Sequence, residues 1–480
     1  MTKTEDGAGA AARPPETLFV PAAVRSMADG SSALERIKAL RDNPISVLPD
    51  AVYRTDHHIA PLGSRSVHYL AGPDTIRAVM QDDFQAWRKS PLIMRMLRPI
   101  LGDAILTAHG ESWRHQRMTL QPALFKKRIA RFAPLMTAAG RTAIARLSAG
   151  PQPVEVHAVM NDTTFTIIEQ ALFSDTEGFD REAVRGAIER LLEEIGRLRY
   201  SDLLPFPEWA PRIMSAGGRA ALKTFRTAAL AQIRRRRARG EGAQEDGAQE
   251  EGAQEDGAGD LLSLLLDVRD EETKAGLSDV DIRDTLMTFV AAGHETTAIA
   301  LTWSLYCLAH DSEAQARVRA EAERVFAGVD DPGAGESAQL LFTRQVIEEA
   351  LRLFPPAPAL GRRAVRDTQI GETPVKKGDM ALLAFYALHR NPAYWDHPDR
   401  FDPDRWSPER RPSDRYRFMA FGGGPRACVG AQFAMMEASL ILAQIVAALD
   451  VEPVDEIVEP VMQVTLRPRG GLRLIFTPRP

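Results

Sequence analysis

The residues best suited to chemistry lie in one short string, Phe421-Gly422-Gly423-Gly424-Pro425-Arg426-Ala427-Cys428-Val429-Gly430. Three glycines and a proline lead to a cysteine, and an apolar run of helical spacing follows over 429–449. Such a bend presents a sulfur just ahead of a helix N-terminus, where backbone N–H groups and the helix dipole favour a thiolate. The glycines let backbone come close to a flat ligand. A plain glycine-rich loop with a buried thiol is the alternative. The only other cysteine, Cys307, has neither a glycine-rich approach nor a helix start after it, and reads as an inert core thiol.

Three further constellations could cooperate with that sulfur. In Glu349-Ala350-Leu351-Arg352 the acid and base stand three residues apart on one helix face and can pair. The following Leu353-Phe354-Pro355-Pro356 suggests that the pair is buried rather than a weak surface bridge. In Ala291-Ala292-Gly293-His294-Glu295-Thr296-Thr297, Glu295 and Thr296 form an acid–alcohol pair able to relay protons. A zinc site of the H-E-x-x-H kind is excluded, because Ala298 stands where the second histidine would be. A kink at Gly293, with threonine hydroxyls bonding back to the helix, is the milder reading. Trp113 and Arg117 lie one turn apart and offer an indole N–H and a guanidinium to carboxylate oxygens.

Taken together, these motifs resemble the cytochrome P450 family. The cysteine string matches F-x-x-G-x-R-x-C-x-G at every fixed position. Trp113/Arg117, Gly293 to Thr297, Glu349/Arg352, Pro403-Asp404-Arg405-Trp406 and Cys428 follow in the family's order over residues 50–478. The resemblance implies a mainly α fold with a small β-rich portion, a triangular prism. Heme b would lie between a long central helix and the cysteine-bearing helix, with the Cys428 thiolate as axial ligand. It implies that Arg426, Trp113 and Arg117 hold the heme propionates, assisted by His109 and Arg363. Phe421, Gly422, Gly430 and Ala292 would pack against the macrocycle. Glu349, Arg352 and Arg405 would form a structural triad, and His389 would be structural or near the propionates, not an iron ligand.

The same resemblance implies a monooxygenase that inserts one atom of O2 into an apolar small molecule by hydroxylation or epoxidation. Thr296 and Glu295 would manage protons. Ala292, Thr296, Ala357, Ala359, Leu360 and Val464, with the segment from Phe84 to Leu97, would line the substrate pocket. Tailoring of terpenoids, polyketides or fatty acids in bacterial specialised metabolism is expected. Oxidative coupling, desaturation or a non-catalytic heme-binding role are the alternatives. No reductase domain occurs in these 480 residues, so ferredoxin and its reductase are the expected electron donors. The surplus of arginines over 400–426, with Arg410 and Arg411 among them, is the expected docking surface.

The elements that must position these residues are mostly helices. Apolar spacing predicts helices over 112–148, 181–198, 217–238, 279–310, 312–327, 339–354 and 429–449. The helix over 279–310 would run about 45 Å. Strands are predicted at 66–70, 373–375, 380–385 and as a pair within 460–478 turning at Gly470-Gly471. Residues 1–15 and the acidic repeat GEGAQEDGAQEEGAQEDGAG over 240–259 read as disordered, leaving one domain over 16–480. A net charge of −5 gives no footprint for nucleic acid. Two cysteines imply no disulfide framework. No signal peptide and no membrane span is expected, which points to a cytoplasmic monomer.

Overall fold

The computed structural model describes residues 13–479 except 25, 29, 151, 174–179, 197–211, 246–259, 270–273, 455 and 456. Helices of ten or more residues are α1 (Ala33–Asp42), α2 (Pro91–Leu101), α3 (Gly110–Leu120), α4 (Ala133–Ala149), α5 (Val156–Leu172), α6 (Arg181–Gly196), α7 (Ala216–Glu245), α8 (Asp279–His310), α9 (Ser312–Phe326), α10 (Leu341–Leu353) and α11 (Ala431–Ala448). The strands are β1 (His57–Leu62), β2 (Arg65–Leu70), β3 (Trp87–Lys89), β4 (Val154–Glu155), β5 (Leu360–Ala364), β6 (Thr368–Ile370), β7 (Thr373–Val375), β8 (Met380–Leu383), β9 (Leu449–Pro453), β10 (Pro460–Met462), β11 (Leu466–Pro468) and β12 (Arg473–Pro478). One sheet runs β1-β2-β8-β5-β3, and the other three have two or three strands each.

The expected mainly α architecture with a small β portion is what forms, and the axis of the molecule is α8. A capping box starts it: Ser278 accepts from the Asp281 N–H, and Asp281 returns the bond. From Ile282 to Leu308 most of its residues are buried, so the helix is core on nearly all sides. Near its middle Ala292 is exposed and Thr296 half-exposed, which marks one open face in an otherwise packed rod. Helix α11 is the one described helix long and apolar enough to cross a membrane, against the expectation that none would be. About 61% of it is buried inside the protein, and Phe433 packs on Phe132 at 5.8 Å between ring centroids. Its apolarity therefore serves the core.

Several sequence expectations change. The helix expected over 112–148 is broken into Gly110–Leu120 and Ala133–Ala149 with short helical turns between; Pro122 follows the first, and Pro134 stands in the first turn of the last, where its missing donor costs nothing. Helix α7 runs on to Glu245, so the first six residues of the acidic repeat are helical rather than loop. The remainder, 246–259, lies outside the described residues. Of the N-terminal stretch, 1–12 also lies outside them, but Arg13 is fixed, 2.8 Å from Asp311. The last hairpin joins β10 to β11 through 463–465. Gly470 and Gly471, at φ +76° and +91°, instead carry the chain into β12, which pairs with β9 and β4.

One buried polar node ties helix to loop. Arg352 gives all five N–H groups to defined acceptors: two to the Glu349 carboxylate at 2.9 and 2.8 Å, and one each to the His389, Pro398 and Arg400 carbonyls. Glu349 also accepts from the Asp402 N–H at 3.0 Å and the Trp406 indole N–H at 2.9 Å. Arg405 reaches it only at 3.4 Å. The third member of the expected triad is thus the weakest contact, and Trp406 is a partner the motif did not suggest. Burial alone would raise the Glu349 pKa, but Arg352, Arg405 and the donated hydrogen bonds outweigh it and hold it down at about 2.

His389 continues the node toward the cysteine. Its Nδ1–H donates to the Arg352 carbonyl at 3.0 Å, and its Nε2 accepts from the Met419 N–H at 2.9 Å. Both nitrogens are used, so the imidazole is neutral and structural. Burial, aided by Arg352, pushes its pKa down to about 3. Glu349 stays ionised in the fold but protonates near 4.5 when released, so its stabilisation is lost as pH falls from about 4.5 toward 2. For His389 the released ring takes a proton below 6.5 and the folded ring does not until about 3, so stability again falls with pH. Thermal melts should drop from pH 6.5 downward, and His389→Gln should flatten the upper part of that profile. Arg352→Ala leaves the buried Glu349 with only the long Arg405 contact for counter-charge and should cost about 3–5 kcal/mol, measurable by denaturant titration.

Candidate functional site

The cysteine loop is shaped by close approaches that only glycine allows. Gly422 and Gly424 have φ of +66° and +63°. A Cβ on Gly424 would lie 2.1 Å from the Met80 carbonyl oxygen, so that backbone contact demands the missing side chain. The Cys428 N–H donates to the Phe421 carbonyl at 2.8 Å and closes the loop. Cys428 is exposed to solvent on one side. The chain around it nevertheless desolvates the thiol and pushes its pKa up, while the N–H groups of Gly430 and Ala431 and the Arg117 charge act in the opposite direction. Arg117 holds its place by donating to the Ala427 carbonyl at 2.8 Å. Cys307, by contrast, is fully buried and its thiol is pushed well up, first by burial and then by Glu349 and Asp311. It is the inert thiol expected.

Next to this loop lies a group of cations without carboxylates. Arg426 stacks over the Trp113 ring at 4.3 Å and donates to the Ala108 carbonyl at 3.2 and 3.3 Å. Burial lowers its pKa to about 10. Lys89 and Arg362 stand directly opposite each other across the antiparallel β3–β5 pair. Like charges so placed repel. The Lys89 ammonium reaches the Leu106 carbonyl, and Arg362, 8% exposed, donates to the Gly361 carbonyl. Burial lowers the pKa of both, and Arg426 adds to the effect. His109, next in space, is held neutral, its pKa lowered to about 4 by burial and then by Arg426, Lys89 and Arg88. None of Lys89, Arg362 and Arg426 has a carboxylate partner among the described residues. Three cations held together without counter-charge fit a ligand that brings two carboxylates of its own.

Arg363, the residue expected at the propionates, is set apart from Arg362 by strand register. It pairs in register with Arg88, and successive strand residues face opposite sides, so Arg362 joins the cluster and Arg363 does not. Lys89 and Arg362 were not found from sequence. No alternation points to them: Trp87-Arg88-Lys89 and Leu360-Gly361-Arg362-Arg363-Ala364 each carry two adjacent cations.

On α8 the Thr296 hydroxyl donates back to the Ala292 carbonyl at 2.7 Å, and Thr297 to that of Gly293 at 3.1 Å. The back-bonding that sequence offered as an alternative is therefore present together with the open face. The Glu295 side chain leaves that face. Its Oε1 accepts from Thr465 and from Arg467, whose Nε lies at 2.8 Å. Of the expected pocket residues, Ala357 is exposed, Ala359 and Leu360 are half-buried, and Val464 is 38% exposed. The Leu466 N–H donates to the Pro356 carbonyl at 3.1 Å, which joins the β10–β11 hairpin to the segment leading to Ala357. Phe84 packs against Trp113 at 6.1 Å.

The arginines expected to dock an electron donor are engaged internally. Arg410 pairs with Asp402 at 2.7 Å, Arg411 with Glu348, and Arg400 donates to the Pro15 and Leu18 carbonyls. Arg410 and Arg411 brace the loop through these pairs while their side chains stay exposed.

A glycine-bounded sulfur ahead of a helix, an open face on a long helix and an uncompensated cation cluster fit a flat, dianionic macrocycle held by a thiolate. The cytochrome P450 family model matches residues 59–475, and the chain belongs to that family. It is 32% identical over 431 residues to cyclooctatin synthase of Streptomyces melanosporofaciens, covering 87% of this chain and 88% of that protein. It is 29% identical over 420 residues to cyclooctat-9-en-7-ol 5-monooxygenase of the same organism, covering 87% of each. The crystal structure of the cytochrome P450DA heme domain superposes with a TM-score of 0.77 at 25% identity, over 96% of this chain and 99% of that one. The protein is a monooxygenase whose cofactor is heme with a cysteine thiolate axial ligand. The cation cluster predicts that Arg362→Gln speeds heme loss to a competing apo-globin by about tenfold, the worth of one charge-assisted hydrogen bond. Arg363→Gln should leave that rate nearly unchanged.

Proposed function

We propose that Cys428 is the thiolate ligand and that the protein oxygenates a polycyclic, terpenoid-like hydrocarbon with electrons from a ferredoxin. The observation that carries the site assignment is the open sulfur at the start of α11 beside cations that lack a counter-charge. The heme, when bound, supplies the activation of O2 and cleavage of its O–O bond, to which a thiolate ligand contributes electron density.

The chain's own residues supply the rest. Arg426, Lys89, Arg362 and Arg117 hold carboxylates and thiolate by charge, while His109 and Trp113 exclude water around them. Because the Thr296 hydrogen is committed to the Ala292 carbonyl, its lone pairs face the open side. Thr296 thus accepts a hydrogen bond from a protonated group in the pocket and steadies it. Ala292, Ala357, Ala359, Leu360 and Val464 bring no charge, so an apolar substrate loses nothing by entering. The terpenoid reading follows from the relatives named for cyclooctatin chemistry.

A second basic surface supports docking of the electron donor. Lys126, Lys127 and Arg128 are exposed and have no carboxylate partner among the described residues. They surround Phe125, which is 52% exposed. This segment leads into Phe132, which packs on Phe433 of the cysteine-bearing helix. A small acidic protein fits such a basic patch with an apolar centre. Free thiols and a core-buried α11 support a cytoplasmic setting.

Cys428→Ala should abolish turnover and the thiolate signature of the reduced CO complex. Retention of both would overturn the reading. Lys127→Glu with Arg128→Glu should lower kcat/KM for ferredoxin-driven turnover by about tenfold at low salt and leave peroxide-driven turnover intact.

A further inference from the structure

The ion pair between Glu295 and Arg467 joins two pocket walls that no other charged contact connects among the described residues. We propose that Arg467 is a positioning residue that sets the size of the substrate pocket by pinning the β10–β11 turn to the centre of α8. This rests on the monooxygenase site described above and deepens it.

All contacts to Glu295 fall on a single oxygen. Arg467 donates to Oε1 through both Nε and Nη2, and the Thr465 hydroxyl donates to the same atom. Oε2 has no hydrogen-bond partner among the described residues. Glu295 is 5% exposed and directly precedes Thr296, so the grip acts one residue from the open face of α8. On the strand side, Thr465 and Arg467 flank Leu466, whose carbonyl accepts from the Trp303 indole N–H at 2.9 Å, two helical turns further along α8. The same Leu466 donates its N–H to the Pro356 carbonyl. The turn is thus tied at one edge to α8 and at the other to the segment entering Ala357.

What these ties position is Val464, the apolar tip of the turn. Its Cγ2 would touch a Cβ on Gly196, at the end of α6, at 3.6 Å. Without the ion pair, the Trp303 and Pro356 bonds still hold Leu466 and the Thr465 hydroxyl keeps one bond to Glu295, but the two-point grip of Arg467 on that carboxylate is lost. The turn then pivots about Leu466, and Val464 moves relative to α6 and α8. Arg467 is itself partly open, its side chain 34% exposed, while the Glu295 side chain is 6% exposed. A lysine in its place keeps the charge and loses the two-point grip.

The test is a ligand-size series read by optical titration of the Soret band. Imidazole, 1-phenylimidazole and 4-(4-biphenylyl)imidazole report the room above the heme without needing the natural substrate. Arg467→Met and Glu295→Gln should each change the ratio of biphenyl to imidazole dissociation constants by about tenfold, with the affinity for imidazole itself unchanged. The double variant should match either single one, as expected of a coupled pair. Arg467→Lys should recover part of the ratio. A contribution to stability alone would lower the melting temperature of all variants and leave the ratio as in the parent, which would overturn the proposal. If the parent itself shows no Soret shift with any of the three ligands, the monooxygenase site fails first. If Arg467→Met does not fold, Arg467→Lys carries the same reading, and a parental ratio there overturns it.

Discussion

The carboxylate of Glu349 and the guanidinium of Arg352 form the contact on which the site depends. Arg352 spends every donor it has, and three of its acceptors are carbonyls of the segment 389–400. That segment has little regular structure, so its path is written by side-chain bonds and not by a ladder. His389 passes the constraint to Met419, three residues before the first positive-φ glycine of the cysteine loop. A buried ion pair is a doubtful source of net stability. Here its use is geometric: it gives a long irregular chain one conformation.

A second constraint works in the opposite sense. Around Arg426 the fold gathers like charges that repel, and it satisfies them only with carbonyls and an indole face. A dianionic ligand bound there would reverse the sign of that cost. The two nodes thus differ in completeness. The Glu349 node is closed in the chain alone, whereas the Arg426 node is closed only by what it binds.

How much of this the sequence disclosed follows the same division. Short-range patterns were readable: α8 and β7 begin and end where expected, and Cys428 stands ahead of a helix. Partners far apart in sequence were not. Trp406 comes to Glu349 only because the irregular segment folds back over α10, and no spacing rule reports that. Arg362 and Arg363 are adjacent identical residues, so only strand register separates them, and register is set by β3, a three-residue strand with no periodicity to detect. The hairpin was placed one turn too late because Gly470-Gly471 is the stronger local turn signal, while the real turn at 463–465 is held by α8 through Thr465 and Arg467. Helix α5 was missed because it is apolar on most faces, and its amphipathic signal is weak for that reason.

The incomplete charge node also bears on the life of the chain before it is mature. A newly made chain folded without its ligand carries the repulsion of Lys89 against Arg362, met only by the Leu106 and Gly361 carbonyls. Whatever binds only the folded form adds to its stability in proportion to the logarithm of its free concentration. If heme closes that node, chains made faster than heme is delivered would open more often and meet proteases sooner.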